Sequence, residues 1–309
     1  MGVSSKKKDP HELFKNGFSE ESGVKILKGE ELVKLQNFML GMLKDFKAVA
    51  DKHDLTYSLS GGSVLGTIRH QGFIPWDDDI DINMPRAEYD RFEKIFEQEM
   101  GDKYELCTPK MGKNHGMALY QLKRKGTVYQ SYNELSKEES GICMDIFVIE
   151  NTYNNGLLRK LHGMICLAFG YALTCRKTYF DMPFLEPYLE GSPELKNAFE
   201  VKAKRGKLIR FIKLDTLSRW TIYWYSKCKN NSSKYVTIPS GRKHYFGELC
   251  DRSELCDVTD GVFAGETVKI PKRAEDYMKR LYGPNYMQIP PVEKRESHPI
   301  MKLEYGDEA

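Results

Sequence analysis

Apolar residues recur at alternating steps of three and four along residues 30–53. This spacing puts them on one face of a helix and predicts that the face packs against a core. The apolar positions are Leu32, Leu35, Met39, Met42, Phe46 and Val49. Residues 1–23, which precede this helix, are polar and rich in lysine, and they are expected to form a mobile arm.

Short β-prone runs alternate with helical runs through the rest of the first half. Residues 56–60 predict a strand that ends at two glycines, and residues 63–70 predict a helix. Further strands are predicted at residues 80–84, 118–122, 127–129 and 142–149, and a helix at residues 85–98. Near the C-terminus, residues 267–270 predict one more strand and residues 273–282 one more helix. Pro85 is expected to open the first of these two helices, and Pro271 is expected to be the N1 proline of the second. The alternation predicts an α/β (α+β) fold, a mixed sheet with flanking helices.

A basic, helical segment interrupts this pattern at about residues 156–235. Residues 164–175 are twelve mostly apolar residues, too few to cross a bilayer, and they predict a buried helix, with a membrane-facing helix as the alternative. Residues 199–229 carry nine basic and two acidic side chains on a helical pattern. Such a helix can bind anionic lipid or polymer, or it can be an ordinary solvated surface.

Composition narrows the class of protein. The 309 residues are 40% hydrophobic and 29% charged, which suits a globular fold, and the formal net charge of +3 predicts no nucleic-acid partner. The N-terminus lacks the apolar stretch of a secretory signal. Seven cysteines, an odd number without a C-x-x-C pair, suit reduced thiols. We therefore expect a cytoplasmic protein, with peripheral contact at the inner face of the membrane as an option.

Four of the five residues from 77 to 81 are aspartates. In a strand, Asp79 and Asp81 point to the same face, while Ile80 and Ile82 point to the other and bury it. Two carboxylates about 4 Å apart repel each other by about 4 kcal/mol at an effective dielectric constant near 20. A divalent cation relieves this repulsion, and an all-oxygen ligand set favours Mg²⁺ or Mn²⁺. An acidic solvated loop is the alternative, against which the apolar neighbours argue.

A glycine turn precedes the aspartates. Gly61, Gly62 and Ser63 lie between a predicted strand and a predicted helix, where free backbone N–H groups can bind phosphate oxygens. By itself such a turn is weak evidence. Combined with the aspartates downstream, it predicts a phosphate cradle beside metal-binding carboxylates, which is the equipment of phosphoryl transfer.

These residues resemble the DNA polymerase beta-like nucleotidyltransferase superfamily, and the run GGSVLGTIRHQGFIPWDDDIDINM resembles the LicD family, which includes the fukutin-related proteins. Asp145, within GICMDIFVIE, matches the third acid of the superfamily on a later strand. The run LYGPNYMQIPPVEKRESHP near the C-terminus also resembles the family. The resemblance implies a nucleotidyltransferase-like catalytic domain over residues 24–309, into which the basic helical segment is inserted.

The resemblance implies transfer of a phospho-alcohol, most simply phosphocholine, from a CDP-alcohol to a hydroxyl of a cell-surface glycan or teichoic acid precursor, with release of CMP. The acceptor, which can be lipid-linked, is a lipooligosaccharide or teichoic acid in LicD relatives. Asp79, Asp81 and Asp145 would bind Mg²⁺ (or Mn²⁺), and Asp145 is also the candidate base towards the acceptor hydroxyl.

The remaining candidate residues would bind substrate. Gly62 and Ser63 would hold donor phosphates, and Arg69 would neutralise a phosphate oxygen or pair with a nearby aspartate. Trp76 would stack on the cytosine base or belong to the core. Relatives often carry a lysine where Gln121 stands here; Lys123 and Arg124 lie close by, and Lys123 is the candidate basic residue for contact with phosphate. Arg295 and His298 would either touch phosphate or fix the C-terminal tail.

Two other functions remain open at this point. A nucleotidyltransferase that attacks the α-phosphate of a nucleoside triphosphate would use the same carboxylates but release pyrophosphate. A catalytically silent glycan-binding protein would retain the fold without the reaction, which the presence of all three acids disfavours.

Overall fold

The computed structural model describes residues 25–111, 116–131, 140–189, 193–296 and 298–306. The predicted polar arm, residues 1–23, lies outside the described residues. The helices are α1 (Gly29–Lys52), α2 (Gly61–His70), α3 (Arg86–Met100), α4 (Gly156–Leu185), α5 (Pro193–Leu208), α6 (Leu214–Tyr225), α7 (His244–Gly247), α8 (Arg252–Leu255) and α9 (Ala274–Tyr282). The strands are β1 (Ser58–Leu59), β2 (Asp81–Pro85), β3 (Tyr104–Cys107), β4 (Tyr120–Arg124), β5 (Val128–Ser131), β6 (Cys143–Asn151), β7 (Tyr235–Thr237), β8 (Cys250–Asp251), β9 (Val258–Phe263), β10 (Glu266–Pro271) and β11 (Ile300–Glu304).

A mixed sheet forms the centre of the fold, with the strand order β1-β2-β6-β4-β3. Strands β2 and β6 run parallel, and β1, β4 and β3 join them antiparallel. Strand β7 pairs with the far end of β6 and continues to β8. Two separate two-stranded ribbons, β9–β10 and β5–β11, complete the strand pairing. The predicted mixed α/β architecture is therefore confirmed.

The amphipathic face of α1 packs against the sheet as its spacing predicts. All six of its predicted apolar positions are buried, and α1 and α3 both contact β6. The Phe46 ring meets Tyr57 and Phe92 edge to face, with ring centroids 5.2 and 5.4 Å apart. These contacts hold β1 and α3 against α1. They therefore also position the glycine turn, which follows β1 directly.

A buried ion pair fixes the start of α3 to the end of β6. Arg86 is 5% exposed, and its Nε donates to Glu150 Oε2 at 3.1 Å. Its Nη2 donates to the Tyr120 hydroxyl, also at 3.1 Å, so that β4 joins the same cluster. Because Glu150 is only 2% exposed, the two charges neutralise each other away from water.

Helices α4, α5 and α6 lie between β6 and β7 and pack on one another. The basic segment that was predicted as one helical stretch is divided, since residues 209–213 separate α5 from α6. The apolar run at residues 164–175 is neither wholly buried nor wholly membrane-facing: Cys166, Leu173 and Cys175 are buried, whereas Met164 and Tyr171 are nearly half exposed. Among the described helices, none combines the length and hydropathy needed to cross a membrane.

Pro271 is not the first residue of a helix, as the sequence predicts, but the last residue of β10, paired with Val258. Helix α9 begins three residues later, at Ala274. Proline has no backbone N–H to donate to a neighbouring strand, and it is therefore tolerated at the end of an edge strand such as β10. Pro85 likewise ends β2, and it immediately precedes α3.

Glu248 gives the fold a pH-dependent stability. Burial raises the pKa of Glu248 to about 7, although its Oε1 accepts a hydrogen bond from Lys243 N at 3.1 Å. The folded chain therefore binds more protons at Glu248 than the unfolded chain, so this residue makes stability fall as pH rises from about 4.5 to about 7. The Glu248→Gln variant lacks this titration. As pH rises from about 4.5 to about 7, we therefore expect its free energy of unfolding to increase relative to that of the wild type by up to about 3 kcal/mol, as measured by urea denaturation. Parallel stability profiles for the two proteins would contradict this assignment.

Candidate active site

The glycine turn brings the start of α2 close to the aspartate run. Gly61 has a φ of +45°, and a side chain there would meet Asp81 Oδ2 at 3.2 Å. A side chain at Gly62 would meet Asp77 Oδ2 at 2.8 Å, which is too close for any real Cβ. The positive φ therefore favours glycine at position 61, and a side chain at position 62 would force the Asp77 carboxylate to shift. The predicted turn between a strand and a helix is confirmed.

Ser63 ties α2 to β2. Its Oγ accepts a hydrogen bond from the backbone N–H of Asp81 at 3.0 Å, and the side chain is 2% exposed. The Tyr277 hydroxyl of α9 lies 3.0 Å from Ser60 Oγ and receives hydrogen bonds from Gly61 N and Asn83 Nδ2, both at 3.4 Å. The turn and the first residue of β2 are thus held from two sides before any ligand arrives.

Three neighbouring strands place the predicted acids and an amide in a row. In the parallel pair β2–β6, Asp81 stands opposite Asp145. In the antiparallel pair β6–β4, Asp145 stands opposite Gln121, whose Nε2 donates to Asp145 Oδ1 at 2.9 Å. The sequence places Asp81 and Asp145 on strands, and the register shows that they meet side by side on the sheet.

Desolvation and mutual repulsion raise the pKa values of the acids. The pKa of Asp81 lies well above its usual value because of desolvation and then because of Asp79, Asp145 and Asp77. Desolvation, Asp79 and Asp78 raise the pKa of Asp77 in the same way. Desolvation also raises the pKa of Asp79. The protein therefore concentrates more negative charge here than its own side chains neutralise, which is the condition that favours a bound cation.

His298 brings the C-terminal segment to the aspartates. Its Nδ1 lies 2.7 Å from Asp78 Oδ1 and 3.7 Å from Asp79 Oδ2. Burial alone would lower the pKa of His298, but Asp78, then Asp79 and Asp77, raise it well above its usual value. The charged imidazole fixes the tail to the acidic run. The sequence offered two roles for His298, and the structure shows this contact to Asp78.

The indole ring of Trp76 lies close to two arginine guanidinium groups. The Arg295 guanidinium lies 4.2 Å from the ring centroid, and Arg69 lies 5.9 Å from it. Arg69 Nη1 donates to the backbone carbonyls of Tyr286 at 2.9 Å and Gln288 at 3.3 Å. The two arginines and the tryptophan therefore join the segment after α9 to the segment that precedes the acidic run.

Lys123 lies on the same face of β4 as Gln121, two residues further along the strand. It is 4% exposed and stands opposite Cys143 of β6, while its Nζ donates to Ser140 Oγ. Gln121 donates a hydrogen bond to Asp145, the candidate base. The resemblance to the family identified position 121 as one where relatives carry a lysine. The contact of Gln121 with Asp145 becomes visible only from the pairing of β4 with β6.

A cavity of about 160 Å³ opens beside these residues. Its lining includes Asp78, Asp79, Gln121, Asp145 and His298. Of the other predicted site residues, Gly62 and Ser63 adjoin the acids from α2, whereas Arg69, Trp76, Lys123 and Arg295 do not line the cavity. The structure thus brings Asp79, Asp145 and His298 to one cavity and places Asp81 beside Asp145.

The acids fit a hard divalent cation by their chemistry. Carboxylate oxygens are preferred ligands of Mg²⁺ and Mn²⁺, and Asp79, Asp81 and Asp145 could supply them. In the present side-chain conformations, no group of three or more His, Cys, Asp or Glu side chains within the described residues is arranged to hold a metal ion. Mg²⁺ is usually held by one or two carboxylates together with substrate phosphates and water, so a larger preformed group is not needed for it to bind here.

Comparison with known proteins defines the class. Residues 54–162 match the family model "LicD/FKTN/FKRP, nucleotidyltransferase domain". This segment, which contains the glycine turn, the aspartate run and Asp145, is therefore similar to the nucleotidyltransferase domain of the LicD family, and the chain is a transferase. The predicted resemblance to the LicD family is confirmed.

One relative resembles nearly the whole chain. The chain is 25% identical over 281 residues to the lipopolysaccharide cholinephosphotransferase LicD of Haemophilus influenzae, which covers 85% of this chain and 94% of that protein. It is also 26% identical over 113 residues to an uncharacterised protein of Rickettsia prowazekii, covering 37% of this chain and 34% of that protein. A 57-residue match to an uncharacterised Rickettsia typhi protein is 37% identical and covers 18% of each chain.

Proposed function

We propose that the chain transfers a phospho-alcohol, with phosphocholine as the first candidate, from a CDP-alcohol to a hydroxyl of a glycan, and releases CMP. The acceptor would be a lipopolysaccharide-type glycan or a teichoic acid precursor. The observation that carries this proposal is the pairing of Asp81 with Asp145 on adjacent strands beside the glycine turn. The similarity to a lipopolysaccharide cholinephosphotransferase supports phosphocholine as the cargo and a lipopolysaccharide-type acceptor.

The reaction exchanges one phosphorus–oxygen bond for another. The acceptor oxygen would attack the phosphorus that carries the alcohol, the bond from that phosphorus to the CMP oxygen would break, and CMP would leave with the electron pair. The acceptor proton would pass to Asp145, which Gln121 orients through its 2.9 Å hydrogen bond. The backbone N–H groups at the start of α2 would face donor phosphate oxygens.

A divalent cation would neutralise charge on the donor diphosphate and the leaving CMP when it is bound by Asp79, Asp81 and Asp145. The chain contributes a site that concentrates carboxylates, since α2, β2 and β6 bring them together before substrate binds. His298 and Asp78 would keep the C-terminal segment over the cavity and limit the access of water.

We further propose that the reaction takes place in the cytoplasm. No disulfide joins the seven cysteines, all of which lie in the described residues, and this suits a reducing compartment. Within the described fold, Cys107, Cys166, Cys175, Cys228 and Cys250 are buried.

Product identity tests the proposed function. We expect CMP to accumulate when the protein is incubated with Mg²⁺ and a CDP-alcohol, at a slow rate with water alone and faster with an acceptor glycan. A panel of CDP-choline, CDP-ethanolamine, CDP-ribitol and CDP-glycerol, read by chromatography of CMP, would identify the alcohol. Pyrophosphate from a nucleoside triphosphate, without CMP from any CDP-alcohol, would instead assign the nucleotidyltransferase reaction. Failure to release either product would return the chain to the class of silent glycan-binding proteins.

A further inference from the structure

Helices α4 and α6 present a large apolar surface to solvent. Of the nineteen large hydrophobic side chains that are exposed in the described residues, thirteen lie between residues 156 and 231. Seven of them form what is here named the apolar face, which consists of Leu157, Leu161, Met164, Leu167 and Tyr171 on α4 and Trp220 and Tyr223 on α6. Each of the seven is between 38% and 68% exposed. Exposed apolar surfaces of this extent are typical of interaction sites.

The apolar face is built from two helices that pack against each other. Leu157, Leu161, Met164 and Tyr171 follow steps of three, four and seven along α4, so they lie on one side of that helix. Helix α6 packs beside it, because the Trp224 ring stacks on Phe169 with centroids 6.0 Å apart. Trp220 precedes Trp224 by four residues and so lies on the same side of α6 as this stacked pair, whereas Tyr223 is exposed on the neighbouring side of α6.

Cations border the apolar face. Lys160 is exposed on α4, four residues before Met164 and therefore on the same side of the helix. Arg205 of α5 donates to the Tyr171 hydroxyl, and the Lys227 Nζ lies 4.4 Å from the centroid of the Tyr223 ring. Residues 156–231 carry fourteen basic and six acidic side chains, whereas the whole chain has a net charge of only +3. An apolar face with tryptophan, tyrosine and a basic border matches the interfacial region of an anionic bilayer.

The apolar face also leads to the active site. Leu167 and Tyr171 line a cavity of about 740 Å³, together with Met117 and Leu119. Met117 and Leu119 also line the smaller cavity that contains Asp79 and Asp145. A molecule held at the apolar face can thus extend its polar part along this cavity towards the carboxylates.

We propose that the apolar face docks the protein peripherally on an anionic lipid bilayer and so presents the cavity to an acceptor whose lipid anchor stays in that bilayer. Docking itself is independent of the reaction, and the lipid-anchored nature of the acceptor rests on the proposed function. A second copy of the chain is the competing occupant of the face. The basic border favours the bilayer, because two copies would bring like charges together.

Vesicle binding tests the docking. We expect the full chain to co-sediment with vesicles that contain phosphatidylglycerol, more weakly with pure phosphatidylcholine vesicles, and progressively less as salt rises. The double variant Leu161→Gln/Trp220→Gln should bind at least about tenfold more weakly, since it removes two side chains that would enter the interface. A matched control, Val262→Gln/Ile289→Gln, changes two exposed apolar residues outside the helical segment and should bind like wild type.

A charge variant separates the electrostatic from the hydrophobic contribution to vesicle binding. Lys160→Glu/Lys227→Glu should weaken binding to phosphatidylglycerol vesicles and leave the weak binding to phosphatidylcholine vesicles unchanged. All variants should release CMP from a CDP-alcohol in water at the wild-type rate, so loss of vesicle binding and loss of the reaction are measured separately. Absence of binding to any vesicle would overturn the docking, and so would a dimer in sedimentation velocity that the Leu161→Gln/Trp220→Gln variant dissociates.

Discussion

Replacement of Asp81 by asparagine is expected to lower the rate of phospho-alcohol transfer by roughly 10²- to 10³-fold, as is typical when one electrostatic partner of a transition state is removed. Asp81 stands opposite Asp145 on the sheet and close to Gly61, so an amide at position 81 keeps the shape of the site and removes one charge. The loss should appear in kcat with saturating Mg²⁺, measured as CMP release. Asp102→Asn, which alters an exposed acid after α3, should retain the wild-type rate and serves as the matched control.

The same variant should fold at least as stably as the wild type. Desolvation and the neighbouring aspartates raise the pKa of Asp81 well above its usual value, so its negative charge is unfavourable when no cation is present. Without Mg²⁺, the melting temperature of Asp81→Asn should equal or exceed that of the wild type, and Mg²⁺ should raise the melting temperature of the wild type more. An Asp81→Asn variant that keeps half of the wild-type rate would remove Asp81 from the catalytic site.

Replacement of Glu150 by alanine is expected to cost about 3–5 kcal/mol of unfolding free energy, because it leaves the charge of Arg86 buried without its principal partner. Arg86 is 5% exposed, and Asp90, at 3.2 Å from Nη1, is a half-exposed partner that compensates only in part. The free energy of unfolding would be measured by urea denaturation.

A double variant distinguishes a buried charge from simple loss of packing. Arg86→Leu/Glu150→Leu removes both charges and fills part of the space, so it should be less destabilised than Glu150→Ala. If Glu150→Ala lost less than about 1 kcal/mol, or if the double variant lost more than the single one, the ion pair would not determine the stability of this junction.

Local periodicity predicted the elements that lie directly on the core. The apolar face of α1 was predicted correctly in all six positions because burial on one side of a helix imposes the three-and-four spacing. The glycine turn was also predicted, and the structure shows why glycines suit it: Gly61 has a φ of +45°, and a side chain at Gly62 would displace the Asp77 carboxylate. Both features depend on residues that are close together along the chain, and so a local pattern is enough to predict them.

Features that depend on distant segments could not be predicted. The contact of His298 with Asp78 joins residues 220 positions apart, and the register that places Asp81 beside Asp145 depends on strand pairing. The β9–β10 ribbon escaped detection at β9, whose residues from Val258 to Val262 are largely exposed and so lack a clear apolar alternation. The division between α5 and α6 was missed because residues 209–213 remain basic and apolar across it.

The requirement for a divalent cation in CMP release tests the central claim most directly. The protein would be freed of metal with EDTA, supplied with CDP-choline and an acceptor glycan, and titrated with Mg²⁺ while CMP is measured. We predict no CMP above background in EDTA, a saturable increase with Mg²⁺, and almost none at any Mg²⁺ concentration for Asp81→Asn. CMP release by the wild type that persists undiminished in EDTA, or that Asp81→Asn retains, would contradict a metal-dependent transfer at these carboxylates.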